Sequence, residues 1–238
     1  MKVLVLCYEW PPVGGGGGRV AEQIARGLVR RGHEIHAIAA GIGGATGTTV
    51  EDGVHVHRLG CPRSLPDTCS VHEMAAYLLW ALIPALRLHR RVRFDAIHAH
   101  FAVPTGALAW AVSVATGVPY VLTAHLGDVP GGVPGQTDGL FRWVMPFTRP
   151  IWSKAAGCTA VSAFVAGLGM SAYRREVSVI PNGVDRIPLS EPPPAMPPVR
   201  LLFAGRLSQQ KNVPLALRAL ALLPDIDWRL DVVGDGPF

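Results

Sequence analysis

Two cations five positions apart carry the clearest chemistry in this sequence. In Phe203-Ala204-Gly205-Arg206-Leu207-Ser208-Gln209-Gln210-Lys211-Asn212 an apolar strand pattern runs into a loop and then into a helical pattern. Arg206 and Lys211 would then stand at the carboxyl edge of a sheet, beside a helix N-terminus. That arrangement suits a diphosphate, which brings about two or more negative charges and accepts paired hydrogen bonds from a guanidinium. Two solvated surface cations would be the plainer explanation. Only three lysines occur in the chain, however, so one placed here is a further pointer to an anion.

A second feature is the glycine run Gly14–Gly18, which follows the apolar stretch Val3–Cys7. It does not fit a dinucleotide fingerprint. Starting Gly-x-Gly-x-x-Gly at Gly14 puts Arg19 at the last glycine position, and the second strand ends in Ile38-Ala39-Ala40, without the acid that would hold a ribose. No Gly-Lys-Ser/Thr phosphate loop occurs either. The run reads as a side-chain-free loop before a helix N-terminus, where Gly15, Gly16 and Gly17 can offer backbone N–H groups to an anion or to hydroxyls.

The remaining candidates have blander readings. His98 and His100, like His55 and His57, are two apart on strands and share a face, but no third metal ligand accompanies them, so packing and cleft lining are expected and no metal. Cys7, Cys61, Cys69 and Cys158 are scattered, with no Cys-x-x-Cys pair, as in a cytoplasmic protein with reduced thiols. Val3–Cys7 is too short for a signal peptide. The six tryptophans show no spacing that marks a sugar platform. Net charge is +5, and 19 of the 22 basic residues are Arg, which suits an anionic partner without selecting one.

The elements that must position these residues form a repeating pattern. Val3–Cys7 reads as a buried strand, Arg19–Arg31 as a helix with Val20, Ala21, Ile24, Ala25 and Leu28 along one side, and His33–Ala40 as a strand. Further strands are expected at Val54–Arg58, Phe94–Ala99, Pro119–Ala124, Gly157–Ser162 and Val177–Ile180. Helices are expected at Val71–Val92 (bent near Pro84), Thr105–Ala115 and Phe141–Ala156. No Asp, Glu, Lys or Arg occurs between Asp95 and Asp128; Pro104, Gly106, Gly117 and Pro119 divide that stretch, so it reads as a buried strand–helix–strand series and not as a membrane span. Arg186–Pro198, with six prolines, reads as a linker. The pattern then restarts with strand Arg200–Ala204, helix Val213–Leu223 and strand Trp228–Val233. The fold class is therefore α/β: a doubly wound parallel-sheet domain over 1–185, a linker over 186–198, and the opening of a second such domain over 199–238. About forty residues with one strand–helix–strand unit do not close a core, so a truncated chain or a fragment is expected.

Six segments, in order, resemble glycosyltransferase family 4. They are Tyr8-Glu9-Trp10-Pro11-Pro12 with the glycine run, Asp95-Ala96-Ile97-His98-Ala99-His100, Thr123-Ala124-His125-Leu126-Gly127-Asp128, Ile180-Pro181-Asn182-Gly183-Val184-Asp185, Gly205-Arg206-Leu207-Ser208 through Lys211-Asn212, and Val232-Val233-Gly234-Asp235-Gly236-Pro237. The resemblance implies a GT-B fold of two Rossmann-like domains and a retaining sugar transfer from a nucleoside-diphosphate sugar, without a metal ion or other cofactor. It implies that Gly205, Arg206, Lys211, Gly234 and Gly236 bind the donor, with Arg206 and Lys211 neutralising the leaving diphosphate. His125 would hydrogen-bond the donor sugar, and Gly15, Gly16, Gly17 and Asp128 would line the acceptor side. The acceptor would be a sugar, a lipid-linked or a small hydroxyl compound; no nucleic acid is expected.

Two departures stand out. The family's paired-glutamate motif lies beyond the last residue here, so this chain would lack about half the donor site and is expected to be inactive alone. Leu126 replaces the family's usual glycine after the histidine. A nucleotide-sugar epimerase or hydrolase on the same fold, or a non-catalytic binding module, are the alternatives. Finally, the apolar stretch Met74–Leu86 precedes Arg87, Arg90, Arg91 and Arg93. It fits either a core helix with a basic C-terminus or peripheral contact with an acidic membrane at the cytoplasmic face.

Overall fold

The computed structural model describes residues 1–43, 45–65, 69–133, 138–184 and 197–236. The chain divides into two compact units, Met1–Val184 and Asp185–Phe238. Residues 186–196 of the expected linker, with 185 before it, lie outside the described residues.

The first unit is built on an eight-stranded sheet. Its strands are β1 (Lys2–Leu6), β2 (Glu34–Ala40), β3 (Gly47–Glu51), β4 (Val54–Leu59), β5 (Ala96–His100), β6 (Tyr120–Ala124), β7 (Gly157–Ala160) and β8 (Ser178–Val179). They lie in the order β3-β4-β2-β1-β5-β6-β7-β8. All neighbours pair in parallel except β3, which is antiparallel to β4. The helices are α1 (Gly16–Arg30), α2 (Val71–Val92), α3 (Ala107–Thr116), α4 (Asp138–Ser153) and α5 (Ala163–Tyr173). The central strands are apolar on both faces because both are covered. On one face Ala21 and Ala25 of α1 pack against Val3, Val5, Ile35, Ala37, Val54 and Val56. On the other, Tyr77, Ala81 and Ala85 of α2 and Leu108 and Val112 of α3 pack against Leu4, Leu6, Ile38 and Ile97.

The uncharged stretch between Asp95 and Asp128 is β5, α3 and β6, as its pattern predicts. α2 runs over its expected span. Ser70 caps it: its hydroxyl accepts from the Glu73 amide at 3.3 Å, while its own amide donates to the Glu73 carboxylate at 2.7 Å. By length and composition α2 could cross a membrane, but its inner side belongs to the core. Its outer side leaves Leu79, Trp80 and Ile83 exposed.

Three departures from the sequence pattern have clear causes. α1 begins at Gly16, so the glycine run is not a loop throughout: Gly16, Gly17 and Gly18 form the first helical turn. β3 is absent from the sequence pattern; it is an exposed edge strand whose side chains need not be apolar. α5, also absent from that pattern, is small and apolar without amphipathic contrast, and is started by the Ser162 hydroxyl accepting from the Val165 amide at 3.3 Å.

The second unit contains β9 (Val199–Ala204) and β10 (Trp228–Val233), paired in parallel, with α6 (Val213–Leu220) between them. Asn212, in the left-handed region at φ 48°, caps α6 by accepting from the Leu215 amide at 3.3 Å.

Candidate active site

Strand order locates a site before any side chain is considered. The chain moves outward from β1 to β2 and β4, then returns to β5 on the other side of β1. Loops leaving the carboxyl ends of β1 and β5 must therefore part, and ligands of open α/β sheets bind in the crevice so formed. The loop after β1 carries the glycine run, the loop after β5 carries Phe101, and β6 beside it leads into His125.

The glycines divide into two kinds. Gly14 adopts φ +86°, and a Cβ there would meet the Glu9 side chain. A Cβ on Gly17 would strike the Phe101 ring, and one on Gly18 would overlap the Glu9 carbonyl oxygen. These three are required by packing. Gly15 and Gly16 face open space: a Cβ at either position would have nothing within 4 Å. The Glu9 carboxylate accepts from the Gly15 amide at 3.2 Å. The first-turn N–H groups of Gly16 and Gly17 have no partner inside the helix and can serve a ligand.

Phe101 joins this turn to His125. It holds φ +74°, an uncommon conformation for a bulky side chain. Its ring lies 5.3 Å from that of Tyr8 and 4.4 Å from the His125 imidazole, centroid to centroid. Asp128 ties the loop after β5 to the loop after β6 through the backbone. Its carboxylate accepts from the Ala102 amide and from the His125 amide, each at 2.7 Å. The structure thus brings Gly15, Gly16, Gly17, His125 and Asp128 into one region, despite Leu126 at the position where a glycine is usual.

Burial sets the charge states. His125 is pushed down to about 4, chiefly by desolvation and then by nearby His98. It is a neutral imidazole at neutral pH, fit to hydrogen-bond a hydroxyl and not to act as a cation. Behind it His100 is wholly buried; its Nδ1 lies 3.4 Å from His125 Nε2, and desolvation holds it well below its ordinary value. His98, pushed down to about 4 by burial, shares a hydrogen bond of 2.8 Å with Thr123. His98 and His100 pack against each other, their rings 4.3 Å apart. Desolvation raises Asp128 to about 7, against the opposing pull of the two amides and with nearby Glu9 adding to the rise. Among the described residues no group of three or more His, Cys, Asp or Glu side chains is placed to hold a metal ion.

In the second unit Gly205, Gly234 and Gly236 lie together. The Gly205 amide donates to the Val233 carbonyl at 2.9 Å, and the Leu207 amide to the Asp235 carbonyl at 2.9 Å, so the loops after β9 and β10 run against each other. A Cβ on Gly234 (φ +142°) would overlap the Gly205 carbonyl, and one on Gly236 the Leu207 carbonyl. Gly205, Gly234 and Gly236 therefore permit a close backbone crossing at the carboxyl edge. Arg206 follows Gly205 directly and Lys211 lies five residues further on; both are exposed.

Sequence reasoning passes over Glu9, Phe101 and Arg63. Arg63 is buried, donates to the Tyr8 carbonyl at 3.3 Å and lies over the Tyr8 ring at 5.5 Å. Glu9 and Phe101 each follow closely on a strand, which is the available signal. Nothing local marks Arg63.

The chain is similar to known proteins in sequence and in fold. The sequence model of Glycosyltransferase Family 4 matches residues 14–186. The glycogen synthase of Mycobacterium tuberculosis (strain CDC 1551 / Oshkosh) is 29% identical over 94% of this chain and 58% of its own length. The D-inositol 3-phosphate glycosyltransferase of Arthrobacter sp. (strain FB24) is 30% identical over 77% of this chain and 48% of its own. The chain thus spans about half the length of these curated relatives. Among solved structures, sucrose-phosphate synthase from Thermosynechococcus elongatus superposes with a TM-score of 0.79 at 16% identity, over 98% of this chain and 62% of that one. The catalytic domain of starch synthase IV from Arabidopsis thaliana gives 0.66 at 15% identity, over 100% and 69%. At these identities the structures speak for the fold, which is GT-B.

Proposed function

Since the chain belongs to Glycosyltransferase Family 4, we propose that its parent protein moves a sugar from a nucleoside diphosphate to a hydroxyl acceptor with retention of anomeric configuration. The observation that carries this reading is the pair of glycine-lined carboxyl edges. One is the open Gly15–Gly16 turn near neutral His125; the other is the close crossing at Gly205, Gly234 and Gly236, with exposed Arg206 and Lys211 following β9 in the chain.

The chemistry follows from charge. Breaking the sugar–phosphate bond leaves a diphosphate whose growing negative charge needs nearby cations. Arg206 and Lys211 would supply them, so that no metal ion is required for that task. The uncharged His125 would hydrogen-bond the sugar without competing for the phosphate. The open amides of Gly16 and Gly17 would orient the acceptor or a phosphate from the acceptor side, with Asp128 holding together the neighbouring loops after β5 and β6. No carboxylate is assigned as nucleophile; the departing phosphate oxygen accepts the acceptor's proton on the same face. The protein would work in the cytoplasm. Exposed Leu79, Trp80 and Ile83 on α2, followed by Arg87, Arg90, Arg91 and Arg93, would give it peripheral contact with an acidic membrane carrying a lipid-linked acceptor.

Calorimetry on the full reading frame that contains this chain tests the donor reading. Uptake of a UDP, GDP or ADP compound is expected, and it should be lost in Arg206→Ala and Lys211→Ala. Failure of every nucleotide to bind would remove the assignment.

A further inference from the structure

A second cavity lies away from the crevice between β1 and β5. α2 reaches β2 and β4, and β3 extends the sheet beyond it. Val54 and Val56 of β4 face α1, so the alternate residues His55 and His57 face the α2 side. Thr48 of β3 is paired with His57 and shares that side. This margin carries polar side chains, as a surface only partly covered by its helix requires.

Between this margin and the C-terminal half of α2 is a cavity of about 410 Å³. Its wall is apolar, from Ile38, Leu59, Pro84 and Leu88. Its polar groups are Thr48, His57, Arg58, Arg87 and Arg91, and no Asp or Glu lines it. Arg58 is already neutralised by Glu51, at 2.5 Å, and donates to the Pro11 carbonyl at 2.8 Å. His57 is bonded on both sides, to Thr48 at 2.9 Å and to His36 at 3.0 Å. Arg87 and Arg91 differ. They stand one turn apart on the same side of α2, and neither has an ion pair or hydrogen bond among the described residues. Two like charges at this spacing repel each other unless an anion lies between them. Two guanidinium forks one turn apart suit the several acceptor oxygens of a phosphate, and the volume matches a small-molecule site.

We propose that this cavity is an anion site, in which Arg87 and Arg91 hold a phosphate group at the rim while the apolar wall and the Thr48 hydroxyl receive the body that carries it. It is independent of the sugar-transfer reading. The phosphate can come from a soluble phosphate ester or from the headgroup of an anionic lipid, since the exposed side of α2 lies next to the cavity.

The test is a titration of the 238-residue chain with inorganic phosphate at fixed ionic strength, followed by amide and imidazole chemical shifts, with a parallel sedimentation assay on phosphatidylglycerol and phosphatidylcholine vesicles. Saturable shifts confined to Thr48, His57, Arg87 and Arg91 are expected. The Arg87→Ala/Arg91→Ala double variant should weaken binding about tenfold or more, while Arg30→Ala, exposed at the end of α1 on the other face of the sheet, should change it less than about twofold. Phosphate binding without vesicle retention identifies a soluble ester. Retention on phosphatidylglycerol alone, lost in the double variant and kept in Arg30→Ala, identifies a headgroup. Absence of both kinds of binding, or equal loss in Arg30→Ala, overturns the proposal. Because the shift pattern is read on the unaltered chain, a variant that fails to fold does not spare it.

Discussion

Acidification is the perturbation that probes the candidate site most directly. His98 and His125 fall from 6.5 to about 4 on folding, both through burial, and buried His100 moves the same way. In each case the unfolded chain takes up the proton first. The stability these neutral rings contribute is therefore complete above pH 6.5 and is lost as pH falls toward 4. Between pH 7 and 5 a ring with these two values costs about 2 kcal/mol. Asp128 opposes this: it rises from 3.8 to about 7, so the folded chain holds its proton and regains about 2 kcal/mol over the same interval. His98 and His125 together outweigh it, and His100, His36 and His57 add in the same direction. The net loss is at least about 2 kcal/mol, a large share of the ~5–15 kcal/mol of a typical domain. Urea unfolding followed by near-ultraviolet circular dichroism, which reports on buried Trp10 and Trp152, should show a midpoint lower by about 1 M at pH 5 than at pH 7. In Asp128→Asn the pH dependence should steepen, because the opposing group is gone. A midpoint that is unchanged or higher at pH 5 would refute the reasoning, since it would mean that the rings accept protons within the fold.

Other expectations concern the glycines, the helix cap and the cations. Gly18→Ala should abolish the native start of α1 and lower thermal stability by more than about 2 kcal/mol, because its methyl would overlap the Glu9 carbonyl; Gly16→Ala, with open space around it, should leave stability unchanged or slightly higher. Differential scanning calorimetry separates the two, and equal effects would contradict the packing argument. Ser70→Ala should cost about 1 kcal/mol in urea unfolding through loss of the α2 cap. Trp80→Ser should weaken retention on phosphatidylglycerol vesicles without changing the unfolding midpoint, since Trp80 is exposed on α2. In the parent protein, Arg206→Ala or Lys211→Ala should reduce turnover by at least about a hundredfold while circular dichroism stays the same; retained turnover would free both residues from the diphosphate role.

Much of this architecture is legible from period and punctuation. β1 is a short run of apolar residues, α2 starts at a Ser–Glu capping box, and the uncharged stretch from Asp95 to Asp128 is cut by Pro and Gly where its elements end. Local rules decide such features, so sequence suffices. The glycine run shows the limit. Its composition suggests a loop, yet Gly16–Gly18 are helical, with the Phe101 ring against Gly17 and the Glu9 carbonyl against Gly18, where only glycine leaves room. Those contacts join residues nine to more than eighty positions apart, and no periodicity encodes them. The same holds for Asp128, whose two amide donors come from different loops, and for the paired arginines of α2, whose open neighbour is a sheet margin contributed by β3 and β4. Sequence determined most of the elements, β3 and α5 apart, and which residue types stand at their ends. Tertiary structure decided which of those ends meet, which imidazoles lose their solvent and which of the described arginines on α2 face a cavity without a counter-ion, because desolvation and pairing depend on distances through space and not along the chain.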